Sequence, residues 1–200
     1  MYSKITSYLK LHTSNLKNML FDLQPTLEDE FVRLQPLKET DFEALYKIAA
    51  DPLLWEQHPN PNRYKKEVFE TFFKGAMESK SAFLIIDKLT DAPIGTSRYY
   101  ELDKNGLYVV IGYTFFARTH WGTTYNRATK ILMLNHAFEF VNSVIFHIWE
   151  NNLRSQTAIL KLGARKVHEL AMAYYGEEEK LNFIYQIDKE DWQKLHNQDE

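Results

Sequence analysis

The chain has no cysteine, only seven glycines in 200 residues, and no apolar run long enough to cross a bilayer. Without cysteine there is no disulfide framework, no thiol nucleophile and no thiolate zinc site, and no metal is expected. The lack of thiols accords with a cytoplasmic protein. A large excess of either charge is missing too. The formal net charge of −3 gives no electrostatic reason to expect a nucleic acid or an anionic membrane surface as partner. Internal repeats, low-complexity segments and linkers are also absent. What remains, 44% hydrophobic and 26% charged residues, is the composition of a globular chain that can bury one full core.

Residues 1–24 differ from the rest, with Lys4, Lys10 and Lys17 preceding the first acid, Asp22. They read as an N-terminal extension, either poorly ordered or the product of a start placed too early, with Met19 the alternative start. An apolar signal region and a small-residue cleavage site are lacking. The domain is expected to occupy residues 25–200.

Along that domain, "EFVRLQPL" alternates Val32 and Leu34 with Arg33 and Gln35, a first strand. "TDFEALYKIAA" opens with Thr40 three residues before Glu43, the spacing of a capping box. Asp51-Pro52 ends that helix, and a polar loop, "EQHPNPNR", leads to a second one carrying Val68, Phe72, Phe73 and Ala76 on one face. Three strand-like runs follow, "SAFLIID", "IGTSRYYEL" and "LYVVIGYTFFA", with Asn105-Gly106 as the strongest hairpin signal. A long helix from near Asn126 should bury Ala128, Ile131, Leu132, Leu134, Phe138 and Val141. A strand "SVIFHIW", a helix capped by Asn152 and stopped at Gly163, two strands and a short helix complete the chain. The order predicts an α+β domain: a mostly antiparallel, twisted sheet of about seven strands with helices on both faces.

Two stretches carry chemical content. In "TFFARTHWGTTYNRATKIL" an apolar strand gives way to a short loop and then a helix. Gly122, Thr123, Thr124, Tyr125 and Asn126 would offer unpaired N–H groups and the positive end of a helix dipole to an anion. Arg118 and Arg127 flank them. One glycine before a helix is common, so this pattern alone reads more readily as an ordinary helix start than as a phosphate site. In "WENNLRSQTAILKLGA", Asn152, Ser155 and Ile159 share a face of the helix's first turns, which suits a ligand laid along the helix start as well as simple packing.

Together the two stretches resemble the GNAT superfamily of acyl-CoA-dependent N-acyltransferases, most closely the branch of ribosomal-protein N-terminal acetyltransferases. The likeness runs from about Glu30 to Asp188 and includes "FVRLQPL", "DPLLWEQHP", "IGTSRYY" and "IGYTFFA". Against the family's Arg/Gln-x-x-Gly-x-Gly/Ala loop, Gly122 matches the first glycine, Thr124 stands for the second and Thr119 for the Arg/Gln. The "HWG" found in this branch is met by His120, Trp121 and Gly122. Against Asn-x-x-Ala-x-x-x-Tyr-x-x-x-Gly-Phe, Asn152 and Gly163 match, with Ser155, Ile159 and Ala164 in place of the alanine, tyrosine and phenylalanine.

The resemblance implies splayed central strands, acetyl-CoA as co-substrate and an amine acceptor, either a small molecule or a protein N-terminus. Homodimers are common among such relatives. It places the pantetheine on Thr114, Phe115 and Phe116 and assigns the oxyanion donor to a backbone N–H near Phe116. The tyrosine that commonly protonates the leaving thiolate is replaced by Ile159, leaving Ser155 as the available hydroxyl. Val110 stands where several members carry a glutamate base, so Glu150, His147, His58 or a water chain are the remaining bases. Trp55, Tyr99, Tyr100, Tyr113 and Trp121 are aromatic candidates for the acceptor wall. The alternative is a silent fold that binds acyl-CoA as a sensor or interaction module.

Overall fold

The computed structural model describes residues 21–103, 105–173 and 178–196, so the first twenty residues of the expected extension lie outside it. The extension's last residues pack on the domain. Phe21 stacks on Phe140 at 4.8 Å, and Gln24 Nε2 donates to the carbonyl of Ala82 at 2.8 Å.

Among the described residues eight strands form one sheet: β1 (Leu27–Glu28), β2 (Val32–Pro36), β3 (Ala82–Asp87), β4 (Ala92–Tyr100), β5 (Tyr108–Phe116), β6 (Ser143–Trp149), β7 (Arg165–Met172) and β8 (Lys180–Asp188). Their order is β1-β2-β3-β4-β5-β6-β8-β7, and every pairing is antiparallel except β5 with β6. The strand beyond the expected seven is β1, a two-residue edge too short to leave a period-2 pattern.

Among the described residues five α-helices cover the sheet: α1 (Phe42–Ala49), α2 (Lys66–Ser79), α3 (Tyr125–Ala137), α4 (Leu153–Leu160) and α5 (Lys189–His196). Strand β3 is buried along its whole length because both faces are covered. Phe83 and Ile85 join one core with α3, α4 and α5, through residues such as Met133, Ile159 and Trp192. Ala82, Leu84 and Ile86 face the other core, under Leu45, Phe69 and Phe73 of α1 and α2.

Three local expectations are corrected. The turn before α1 is closed by Asp41, whose carboxylate accepts from the Lys38 N–H at 2.8 Å, and not by Thr40 with Glu43. Strands β4 and β5 stop short of a tight Asn-Gly hairpin: Asp103 accepts from the N–H groups of Asn105 and Leu107 inside a longer loop. On α3 the buried stripe runs through Thr129, Lys130, Met133 and Ala137 with Ala128 and Leu134, while Ile131 and Leu132 are only half-buried.

Two irregularities shape the centre of the sheet. Between β4 and β5 the register shifts so that Tyr113 and Thr114 stand opposite Ser97, a bulge in which Tyr113 takes a φ of +52°. Between β5 and β6 pairing covers only Tyr108, Val109 and Val110 against Ser143, Val144 and Ile145. Beyond those pairs the two strands part, as the expected splay requires.

Candidate active site

The parting of β5 and β6 opens a cavity of about 190 Å³ through the sheet. From one face it is walled by Asn126 and Lys130 of α3 and by Ser155, Ala158 and Ile159 of α4. From the other face come Leu54, His58, Pro59 and Arg63, in the segment between α1 and α2. The strands supply Ile111 to Phe116 on one side and Phe146 to Trp149 on the other.

Backbone direction follows from the ladder. The Ala117 N–H donates to the Ile94 carbonyl at 2.7 Å, so the neighbouring pair Gly95–Phe116 is the non-bonded kind. The N–H and C=O of Phe116 therefore turn away from β4 toward the gap. The carbonyl accepts from the Trp121 indole at 3.1 Å.

Helix α4 starts where sequence placed it, with the Asn152 side chain accepting from the Ser155 N–H at 3.1 Å. This cap holds Ser155 in the cavity wall. Next to it, Arg154 lies over the Trp121 ring, its guanidinium carbon 3.6 Å from the ring centroid. His147 and Tyr100 meet across the strands with Nδ1 and the hydroxyl 3.2 Å apart, and burial pulls the imidazole down to about 4. Burial, then the charges of Arg63 and Arg154, pull His58 down to about 3.

The residues expected to hold a cofactor divide in two. Thr114, Phe115, Phe116, Trp121, Asn126, Asn152 and Ser155 meet in the cavity wall. Gly122, Thr123, Thr124 and Arg127 are exposed in the turn and first residues before and within α3, outside that wall. Gly122 has a φ of +73° with open space where a Cβ would stand, so backbone freedom and not crowding calls for glycine there. The Thr123 hydroxyl donates to the His120 carbonyl at 2.6 Å. Arg118 is engaged by Asp51 through its Nε, and that hydrogen bond holds the Asp51 carboxyl below its ordinary range. Tyr125 donates to Asp87 at 3.0 Å, tying the start of α3 to the end of β3.

Among acceptor-side expectations, His58, Tyr100, Tyr113 and His147 line the cavity. Trp55 and Tyr99 do not. Trp55 is fully buried, donates to the Ala49 carbonyl at 2.7 Å, and supports His58 from below with ring centroids 4.9 Å apart. Tyr99 points into the opposite core, its hydroxyl donating to the Met133 carbonyl at 2.6 Å. Glu150 stands in the turn after β6, outside the wall, and among the described residues no Asp or Glu lines the cavity.

Sequence reasoning passed over Lys130, Arg63, Arg154 and Asn182, which all line the cavity. Lys130 is 3% exposed, and its ammonium donates to Thr114 Oγ1 at 2.7 Å and Ser97 Oγ at 3.1 Å. It follows Asn126 by one helical turn, and that i, i+4 spacing was the available signal. Arg63 sits between Trp55 and Phe72, its guanidinium carbon 5.6 and 5.2 Å from their ring centroids.

A mixed sheet that opens between two parallel strands, with a helix start at the mouth and a capped second helix beside it, defines the GNAT class of fold. The model of the acetyltransferase (GNAT) domain matches residues 32–165, and the chain belongs to that family. Solved structures agree on the fold. A GCN5-related N-acetyltransferase from Brucella melitensis superposes with a TM-score of 0.76 at 17% identity, over 87% of this chain and 83% of its own. RimJ from Mycobacterium smegmatis, in complex with CoA-disulfide, gives 0.67 at 16%, over 84% and 87%. Spermidine N-acetyltransferase from Vibrio cholerae, in complex with CoA and spermine, gives 0.63 at 13%, over 82% and 99%.

Proposed function

We propose that the protein is an N-acetyltransferase that moves an acetyl group from acetyl-CoA to a primary amine by direct attack in a ternary complex. The observation that carries this reading is the gap beyond Val110 and Ile145, with Phe116 N–H turned into it and Asn152 and Ser155 at its edge. Such a gap offers an extended ligand unpaired strand groups on one side and a helix start on the other. Thr114 to Phe116 would take the pantetheine, and the turn from Gly122 to Asn126 the pyrophosphate.

Attack by the amine nitrogen forms the amide bond as the carbon–sulfur bond breaks, and the thiolate leaves with a proton. Phe116 N–H suits the oxyanion, because a preformed donor needs no reorganisation during the reaction. Ser155 is the hydroxyl assigned to the leaving sulfur. For the proton on the amine, the Tyr100–His147 pair is the assigned relay, the imidazole being neutral above about pH 4. Placement outside the cavity wall tells against Glu150. The acceptor in this proposal is a protein N-terminus or a small amine, the latter supported by the solved spermidine N-acetyltransferase, which holds CoA and spermine, and the enzyme is taken to be cytoplasmic. Membership of the RimJ-like branch and assembly as a homodimer belong to the same proposal.

Calorimetry with acetyl-CoA, followed by thiol release across an amine panel, tests the reading. We expect binding below millimolar concentration and thiol release with at least one amine. Ser155→Ala should lower kcat by about tenfold or more, with a smaller loss of acetyl-CoA affinity. No binding at millimolar acetyl-CoA would overturn the proposal. Binding without thiol release from any amine would favour the sensor.

A further inference from the structure

Asp87 is a buried carboxylate that the transfer chemistry leaves without a task. It is the last residue of β3, 4% exposed, and stands outside the cavity wall. One oxygen accepts from the Leu89 N–H at 2.9 Å and the Tyr125 hydroxyl at 3.0 Å, and the other from the Thr90 hydroxyl at 2.9 Å. His120 Nε2 lies 3.9 Å from that second oxygen, and the His120 ring meets Tyr125 edge-on with centroids 4.8 Å apart. Burial works to raise the carboxyl, but the donors from Leu89, Thr90 and Tyr125 and the charge of His120 hold it below its ordinary range.

His120 precedes and Tyr125 follows the stretch from Trp121 to Thr124, so both ends of that turn meet one carboxylate. Within the turn the restraints are weaker. Gly122 takes its positive φ in open space, and Thr124 precedes α3 without a capping hydrogen bond from its side chain. The Trp121 indole ties the start of the turn to β5 through the Phe116 carbonyl, and Tyr125 ties its end to β3. Backbone N–H groups hold a phosphate only when their directions converge, and fixing those directions in advance spares the ligand the cost of ordering them.

Building on the acetyltransferase reading, in which this turn takes the cofactor's pyrophosphate, we propose that Asp87 is a positioning residue for acetyl-CoA. Through Tyr125 and His120 it sets the direction of the N–H groups from Gly122 to Asn126. The role runs against the residue's own charge. A carboxylate repels a phosphate through space, so removing that charge would by itself strengthen binding. Positioning predicts the opposite sign.

The experiment uses the full chain with acetyl-CoA and with S-acetyl-pantetheine, which carries the same thioester without pyrophosphate or nucleotide. Calorimetry gives the affinity for CoA, and thiol release with an accepted amine gives kcat/KM for each donor. Asp87→Ala should weaken CoA binding about tenfold, and Tyr125→Phe, which loses one hydroxyl, about threefold or more. In both variants the fall in kcat/KM should be several-fold larger with acetyl-CoA than with S-acetyl-pantetheine. Tyr125→Phe keeps its ring beside His120 and reads the same split if Asp87→Ala folds poorly. Where no amine turns over, the change in CoA affinity alone decides. Unchanged or tighter CoA binding in the variants overturns the inference. Equal losses with the two donors overturn it as well, because they mark a general loosening of the fold. Failure of the parent protein to bind acetyl-CoA is a separate result, seen before any variant is made, and removes the underlying reading as well.

Discussion

Lys130 shows how much one buried side chain can carry. Its ammonium bridges Thr114 and Ser97 across the β4–β5 bulge, and burial pulls its pKa down to about 7. The folded value lies below the ordinary 10.5, so between about pH 7 and 10.5 the unfolded chain binds the extra proton. Stability should therefore rise with pH through that window. Lys130→Met should flatten the rise, seen as urea midpoints at pH 7.5 and 9.5 that differ less than in the parent. If the pH dependence is the same in both proteins, the lysine is not buried in its charged-form-disfavoured state. The sequence hid this residue because a lysine on an amphipathic helix ordinarily reaches solvent. Adjacent tyrosines were equally opaque. Tyr99 and Tyr100 leave the strand on opposite faces, so only the register decides that one enters the core and the other the cavity.

At the scale of elements, helices and strands were largely legible, because periodic burial writes itself into spacing. Asn152 announced the start of α4 through its cap, and the interrupted match between β5 and β6 followed from the family resemblance. The bulge was marked only by Gly112, an isolated glycine within the strand, and the positive φ falls on its neighbour Tyr113, where the ladder around it imposes it. Gly95 supports the adjoining ladder. A Cβ built there would lie 2.1 Å from the Phe115 carbonyl oxygen, a backbone atom that cannot swing aside. Gly95→Ala should cost about 3 kcal/mol or more of unfolding free energy, measured by denaturant titration. A loss under about 0.5 kcal/mol would mean that the two strands separate there without penalty.

Across the whole molecule, two cores lie back to back on one sheet, and the ionisable groups between them set its tolerance of acid. His58 and His147 have folded values of about 3 and about 4, well below the ordinary 6.5, chiefly through burial. Below pH 6.5 the unfolded chain binds protons that the folded one refuses, so stability present at neutral pH drains away as pH falls. Denaturant midpoints should drop between pH 7 and 5, and the double variant His58→Gln/His147→Gln should lose much of that drop. An equally steep decline in the variant would place the acid sensitivity elsewhere. Chain order alone could not say which strands pair in parallel, since pairing is settled by contacts distant in sequence. Within the sheet, the halves β1–β5 and β6–β8–β7 share only three residue pairs, at one end of a seam. Hydrogen bonding joins them at that end alone, and elsewhere they are held by the core they share. An occupant wedged between them binds only the folded sheet, so its binding free energy adds to that of folding, about 2.7 kcal/mol at a hundred times its Kd. A seam paired at one end only is thus a place where a small molecule can brace the sheet.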